Sequence, residues 1–318
     1  MRTSSTLCAI FLGAALAAGQ NSELLPFGDF NQWVTRDIKE SAVIGGKWRK
    51  CYAIGPTRTI KGSEPYKRLG GTPWGSSNIM AKVVGITKVS NAVFPDDRGP
   101  GDKCAKLTTM MEHCKAIGLI NIDVMVAGTI FLGQIIEPIR STTSPYSKME
   151  NGIPFTKRPK AMCFDYKLEV PPTGEMTYSS GFGSKKSIPG VDNAEALVFL
   201  QRRWEDADGN LHAKRVGTGR ERFNKSTDGW INGHQCKIHY GDISREPYYK
   251  TYMGLIPKDK SYYSHNSKGE MVPVIEEGWD DAGATPTHMI VMFSSGSGEP
   301  YTGTLGMTMW VDNVGMVY

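Results

Sequence analysis

The chain has 318 residues, with 37 basic against 32 acidic side chains and a formal net charge of +5. The basic residues are scattered, as in Lys47 to Lys50 ("KWRK") and Gly219 to Lys225 ("GRERFNK"). A solvated surface accounts for that pattern, and a nucleic-acid partner is not expected. Six cysteines without CxxC or regular spacing exclude a dense disulfide framework and predict mostly buried thiols with at most one or two bridges.

The first segment, Met1 to Gly19, carries one Arg, an apolar run from Leu7 to Ala18 and small residues at its end, which is the pattern of a secretory signal peptide. Cleavage is expected after Gly19, with Ala17 as the alternative. Leu7 in place of a small residue before Cys8 argues against a lipoprotein anchor. The mature chain, residues 20 to 318, then has a balance of 36 minus 32, or +4. It is expected to be exported, whether periplasmic, cell-surface-associated or secreted, without a transmembrane span.

In the mature chain, "LLPFGDFNQW" (Leu24 to Trp33) comes first, a Gly-Asp turn between large apolar groups. "TPWGSSN" (Thr72 to Asn78) places Trp74 in a loop setting with Asn78 four residues on. From Cys104 onward, runs with period-two alternation dominate: Cys104 to Glu112, Ile120 to Gly133, Arg158 to Val170, Ala196 to Asp206, Leu211 to Phe223, Gln235 to Asp242, Thr287 to Ser295 and Thr308 to Tyr318. Turn clusters such as "PDDRGPGD", "DADGN" and "KSTDGW" separate them. Helical spacing is confined to short pieces, "PYSKMENG" and "PYYKTYMGLI". Many strands at short intervals predict one all-β domain: an antiparallel β-sandwich, most simply a jelly roll, with long loops and few short helices.

The last strand raises a question of charge. Alternation gives both of its faces an apolar character, so Asp312 sits where an unpaired carboxylate costs several kcal/mol. It needs a cation, several N–H donors or a raised pKa.

Jelly-roll carbohydrate-binding modules begin with a similar Gly-Asp-Phe segment and end on an Asp-Asp or Asp-Asn strand. Here Gly28 to Phe30 and Val311 to Val314 resemble those pieces. The resemblance implies adjacent chain ends, joined either by hydrogen bonds to Asp312 or by a structural Ca2+ held by Asp29, Asn31 and Asp312. Asn31 stands where the modules usually place Glu. More widely, Trp74 to Thr109, Ala127 to Gly133, Asn151 to Val170, Arg203 to Asn210 and Phe293 to Tyr318 resemble, in that order, the carbohydrate-metabolism domain family PCMD. This family implies a β jelly roll in the polysaccharide-utilisation systems of gut bacteria.

Sugar recognition needs flat aromatic faces and planar polar groups. Trp74 with Asn78 is one candidate pair; the alternative is a core plug and a turn cap. Arg158 and Asp165, flanking Pro159 and a strand, either grip hydroxyls or pair with each other. The aromatic-rich segment Tyr248 to Trp279 offers Tyr262, Tyr263 and Trp279 as a wall over Glu276 and Glu277, or as a packed cover. The spacing of His234, Cys236 and His239 puts Cys236 and His239 on opposite faces of a strand and does not make a zinc site. "EDADGN" lacks the downstream Glu of an EF-hand and reads as a hairpin turn.

A glycosidase would need two paired carboxylates. Glu137, in an apolar setting, and Glu276 with Glu277 are the candidates, but no run of acids alternates along one strand. A non-catalytic binder of oligo- or polysaccharide, without a required cofactor, is therefore the first expectation. A glycoside hydrolase is the second, and an adhesion subunit with an exported protein partner the third.

Overall fold

The computed structural model describes residues 22–66, 71–116, 120–181, 183–297 and 300–318. The signal-peptide segment lies outside the described residues. The chain is all-β, 55% strand, and among the described residues no helix has seven or more residues. Its helical pieces are single 3-10 turns such as Pro145–Lys148 and Lys258–Lys260. Among the described residues no helix is long and apolar enough to cross a membrane.

The two largest of the six sheets among the described residues face each other across the main core. The smaller, six-stranded one runs Ile231–Lys237, Ala161–Glu169, Thr308–Val317, Asp102–Thr108, Val93–Gly99, with Ser22–Leu24 added beside Thr308–Val317. The larger, ten-stranded one is built on the long hairpin Ala194–Glu205 and Leu211–Phe223, turned at Asp206 to Asn210. Along Ala194–Glu205 the alternation is visible in the packing. Ala196, Val198 and Leu200 enter the main core with Met162, Phe164, Met309, Val311 and Phe293, while Leu197 and Phe199 pack on the opposite face with Ile290.

The larger sheet departs from a plain jelly-roll sandwich because it closes on itself. The strand Thr129–Ile135 pairs with His288–Ser294 through Thr129 to Phe131, then with Met149–Asn151 through Gly133 to Ile135. This joins the two ends of a path through Ala194–Glu205, Leu211–Phe223, Met271–Trp279 and Tyr263–His265 and makes a seven-stranded ring. Gly133 is the pivot. Its φ is +146°, and a Cβ there would lie 1.9 Å from the Glu150 carbonyl oxygen, so only glycine permits the change of partner. The pairing is also mixed rather than wholly antiparallel, since Leu211–Phe223 runs parallel to Met271–Trp279.

The ring encloses side chains, not a channel. Arg203 reaches across it from Ala194–Glu205 to donate both Nη atoms to the Asn151 carbonyl at 3.1 Å, and its Nε binds Gln201 Oε1 at 2.8 Å. Arg215 and Glu276, both with fully buried side chains, pair at 2.5 and 2.6 Å. Five free cysteines, Cys51, Cys104, Cys114, Cys163 and Cys236, are described, three of them buried and none bridged.

Candidate functional site

The closing strand answers the question of Asp312. Its side chain is fully buried and receives Arg98 Nη1 at 2.6 Å and the Asn313 N–H at 2.8 Å. The same nitrogen of Arg98 reaches Asp165 Oδ2 at 2.7 Å. Asp165 also accepts the Gly233 N–H at 2.6 Å and Asn313 Nδ2 at 2.9 Å. Arg98 then lies over the Trp230 ring, 4.4 Å from its centroid, and donates Nη2 to Asn232. Burial pushes Asp312 up to about 6 even though Arg98 and the Asn313 N–H pull it down. Both carboxylates are thus clamped on one guanidinium.

Several expected site residues are corrected by their surroundings. Trp74 is no platform: 2% exposed, it packs edge-on against Phe30 at 5.2 Å and donates Nε1 to the Pro26 carbonyl at 2.8 Å. Asn78 is saturated by the carbonyls of Tyr52 and Val93 and the N–H groups of Ala92 and Val93. Arg158 donates to the carbonyls of Ala282 and Ala284 and lies over Tyr240, so it does not meet Asp165. Tyr262 packs against Leu197, Phe199 and Ile290, with its hydroxyl pushed up to about 12 by burial. Trp279 is half-buried, 5.8 Å from the Arg215 guanidinium.

The carboxylate candidates are committed as well. Glu137, its side chain wholly buried, takes both Nη atoms of Arg36 and the N–H groups of Tyr66 and Met80. Burial would raise Glu276, but Arg215, the Ile256 N–H and Gln201 together hold it below the usual carboxylate range. Its carboxylate is thus matched by the Arg215 guanidinium. Glu277 is exposed, 2.6 Å from His212 Nδ1 and away from Glu276's buried partners. The proposed calcium set does not converge either. The N-terminal segment does lie along the last strand, with Leu25 N bonded to Val314 O and Val314 N to Gly28 O. Yet Asn31 Oδ1 receives the Lys103 N–H, Asp29 is near Asn31 Nδ2, and Asp312 turns to Arg98. Among the described residues no group of three or more His, Cys, Asp or Glu side chains could hold a metal ion.

A cleft lies elsewhere, a cavity of about 390 Å³ with Tyr146, Tyr178, Tyr263 and Tyr301 on its walls. Three loop regions and a strand end meet there. Ser144, at φ +51°, sets Pro145 to open the 3-10 turn that carries Tyr146. Tyr178 ends the strand Glu175–Tyr178, and the Ser179 N–H bonds the Tyr301 carbonyl at 2.9 Å, which holds those two tyrosines together. Tyr301 itself is at φ +63°, and its hydroxyl, pushed up to about 12 by burial, donates to the Thr142 carbonyl. The turn Lys258–Lys260 and Tyr263, first residue of Tyr263–His265, form the facing wall. Two non-glycine residues in left-handed conformations, Ser144 and Tyr301, therefore lie in one cleft, where local backbone strain is held by the surrounding bonds. All four tyrosines are half-buried.

Of the expected wall residues, the structure brings only Tyr263 to this cleft. Tyr146, Tyr178 and Tyr301 were missed because each stands in a different stretch of sequence. Their common signal is Tyr beside Pro, Ser or Thr in a loop, as in "SPYS" and "EPYT". Asp259 is the one carboxylate lining the cleft among the described residues.

No protein-family model matches the chain, and no curated protein matches it. Among solved structures, a protein from Bacteroides thetaiotaomicron described as a "putative glycoside hydrolase" is similar at 16% identity and a TM-score of 0.44, over 86% of this chain and 76% of that one. A protein from Bacteroides vulgatus with the same description is similar at 15% identity and a TM-score of 0.42, over 93% of this chain and 95% of that one. At these identities and scores the likeness assigns neither activity nor substrate.

Proposed function

We propose that the chain is an exported, non-catalytic carbohydrate-binding protein of polysaccharide utilisation that takes an oligo- or polysaccharide into the tyrosine-lined cleft. One observation carries this reading: four half-buried tyrosines converge on a cavity of about 390 Å³ with Asp259 as its one carboxylate among the described residues. Tyrosine rings supply the apolar faces that pyranose C–H groups stack on, and Ser144, Ser147, Lys258 and Asp259 supply hydroxyl partners around the rim. Hydrolysis requires two carboxylates spaced across the scissile bond, about 5 to 10 Å apart. Asp165 and Asp312 are a close pair, but Arg98 occupies the space between them. The PCMD resemblance supports the carbohydrate role, and the Met1 to Gly19 segment supports export.

The test is a glycan-array screen of residues 20 to 318, with reducing-end release followed on every hit. Binding without release is expected. In the Tyr263→Ala variant, loss of one stacking ring lowers affinity roughly tenfold at an unchanged melting temperature. Release of reducing ends would overturn the non-catalytic reading and direct attention to Asp259, and binding that ignores both Tyr263→Ala and Tyr178→Ala would remove the cleft as its site.

A further inference from the structure

Within the first third of the sequence, two hairpin tips are fixed together. One is the connection 40–47 between Trp33–Lys39 and Trp48–Ile54, which contains the 3-10 turn Ala42–Ile44. The other is Val84-Gly85, between Ile79–Val83 and Ile86–Ser90, with φ of +48° and +76° as a two-residue hairpin turn requires. Ser41 joins them: its N–H reaches the Thr87 carbonyl at 3.1 Å, and its Oγ receives the Thr87 N–H at 2.8 Å. Glu40 adds a bond from the Val89 N–H at 3.1 Å. The two tips therefore move as one body.

What they present is apolar at the points and basic around them. Val84 is 80% exposed, Trp48 58% and Val43 54%, and Val84 and Trp48 are the two most exposed large hydrophobic residues among those described. Lys39, Lys47, Lys50 and Lys82 are exposed, and none of them makes an ion pair among the described residues. Lys39 stands directly across from Trp48 in the strand register, and Lys50 across from Asp37. Arg49 and Lys88 share Glu40, and Lys88 also reaches Glu112 at 3.6 Å, so those two acids are spent on those two cations and Asp37 is left as the acid beside Lys50.

We propose that this double tip docks reversibly on a phospholipid bilayer with anionic headgroups. Aliphatic side chains on convex turns give a sugar neither a flat face nor a planar polar partner, whereas they suit the boundary between headgroups and acyl chains. An indole belongs at the same level, and lysines carry their charge outward to the phosphates while their stems cover apolar surface. Each basic residue near an anionic leaflet adds attraction that salt screens.

The experiment is co-sedimentation of residues 20 to 318 with vesicles of phosphatidylcholine alone and of phosphatidylcholine with phosphatidylglycerol, at low and high salt. Binding is expected to the anionic vesicles and to fall with salt. The exchange of both tip valines, Val43→Glu with Val84→Glu, is expected to weaken it roughly tenfold or more, because apolar insertion is replaced by like-charge repulsion. Trp48→Ala serves as a second variant, with a smaller loss. All three positions are exposed, so unchanged thermal unfolding shows that the variants fold. Failure to sediment with anionic vesicles, or sedimentation that the valine variant leaves intact, would overturn the proposal. Binding to polygalacturonate through the same lysines without vesicle binding would overturn it in favour of an acidic-glycan surface.

Discussion

Replacement of Arg98 isolates the energetics of the buried acid pair. In the Arg98→Met variant Asp312 keeps only the Asn313 N–H, and Asp165 keeps Gly233 N–H and Asn313 Nδ2. Removing one partner of a buried pair costs about 3 to 5 kcal/mol at neutral pH. The parent already carries part of this burden, since its Asp312 titrates at about 6 when folded against 3.8 for an ordinary aspartate. That shift, about two pH units, corresponds to about 3 kcal/mol. Because the folded value is the higher one, the contribution is fully present below the unfolded value, is lost as pH rises to about 6, and stays lost above it. The Asp312→Asn variant removes this titration, so its stability relative to the parent should rise by about 2 kcal/mol between roughly pH 4.5 and pH 7.5. Arg98→Met should instead lose more at the higher pH. Urea unfolding of the three proteins at both values measures these differences. A flat difference between Asp312→Asn and parent would show that Arg98 fully offsets the burial of Asp312, and the reasoning would fail.

Other outcomes test the frame around the cleft. Gly133→Ala forces a Cβ against the Glu150 carbonyl at 1.9 Å, and should destabilise by more than about 3 kcal/mol or prevent ring closure, read as lost cooperativity in thermal unfolding. Trp74→Ala empties a core position and should cost about 3 to 5 kcal/mol while the glycan affinity of the folded fraction is retained, the reverse of Tyr263→Ala. Arg215→Met strands Glu276 inside the ring and should cost about 3 to 5 kcal/mol, recovered in part when Glu276→Gln is added in a double-mutant cycle.

The strands were legible because their signal is local. Ala196 to Asp206 and Leu211 to Phe223, separated by "DADGN", announce a hairpin, and the pairing of Glu205 with Leu211 places its turn where the sequence does. Burial of Asp312 was legible for the same reason, as a charge between apolar alternations. Its partner was not, since Arg98 lies 214 positions away in a segment that reads as a turn. Glu276 shows the limit in the other direction. The sequence marks it as a candidate acid beside Trp279, but only the fold reveals that Arg215 fills its coordination on a strand paired in parallel. The cleft was the hardest to foresee, for its tyrosines come from positions 146, 178, 263 and 301 and no spacing rule joins them. Ring closure was equally hidden, because a glycine in a strand advertises a bend but not which two strands it will connect.

The position of the last strand bears on the timing of assembly. Thr308–Val317 lies in the interior of the six-stranded sheet, hydrogen-bonded on one side to Ala161–Glu169 and on the other to Asp102–Thr108. Until it arrives, the neighbouring strands hold open edges and the facing core of Met162, Phe164 and Leu107 lacks its cover. A nascent chain therefore cannot complete this sheet piecemeal from its N-terminal end. The joining step waits for the final segment, through contacts of long sequence separation that slow folding.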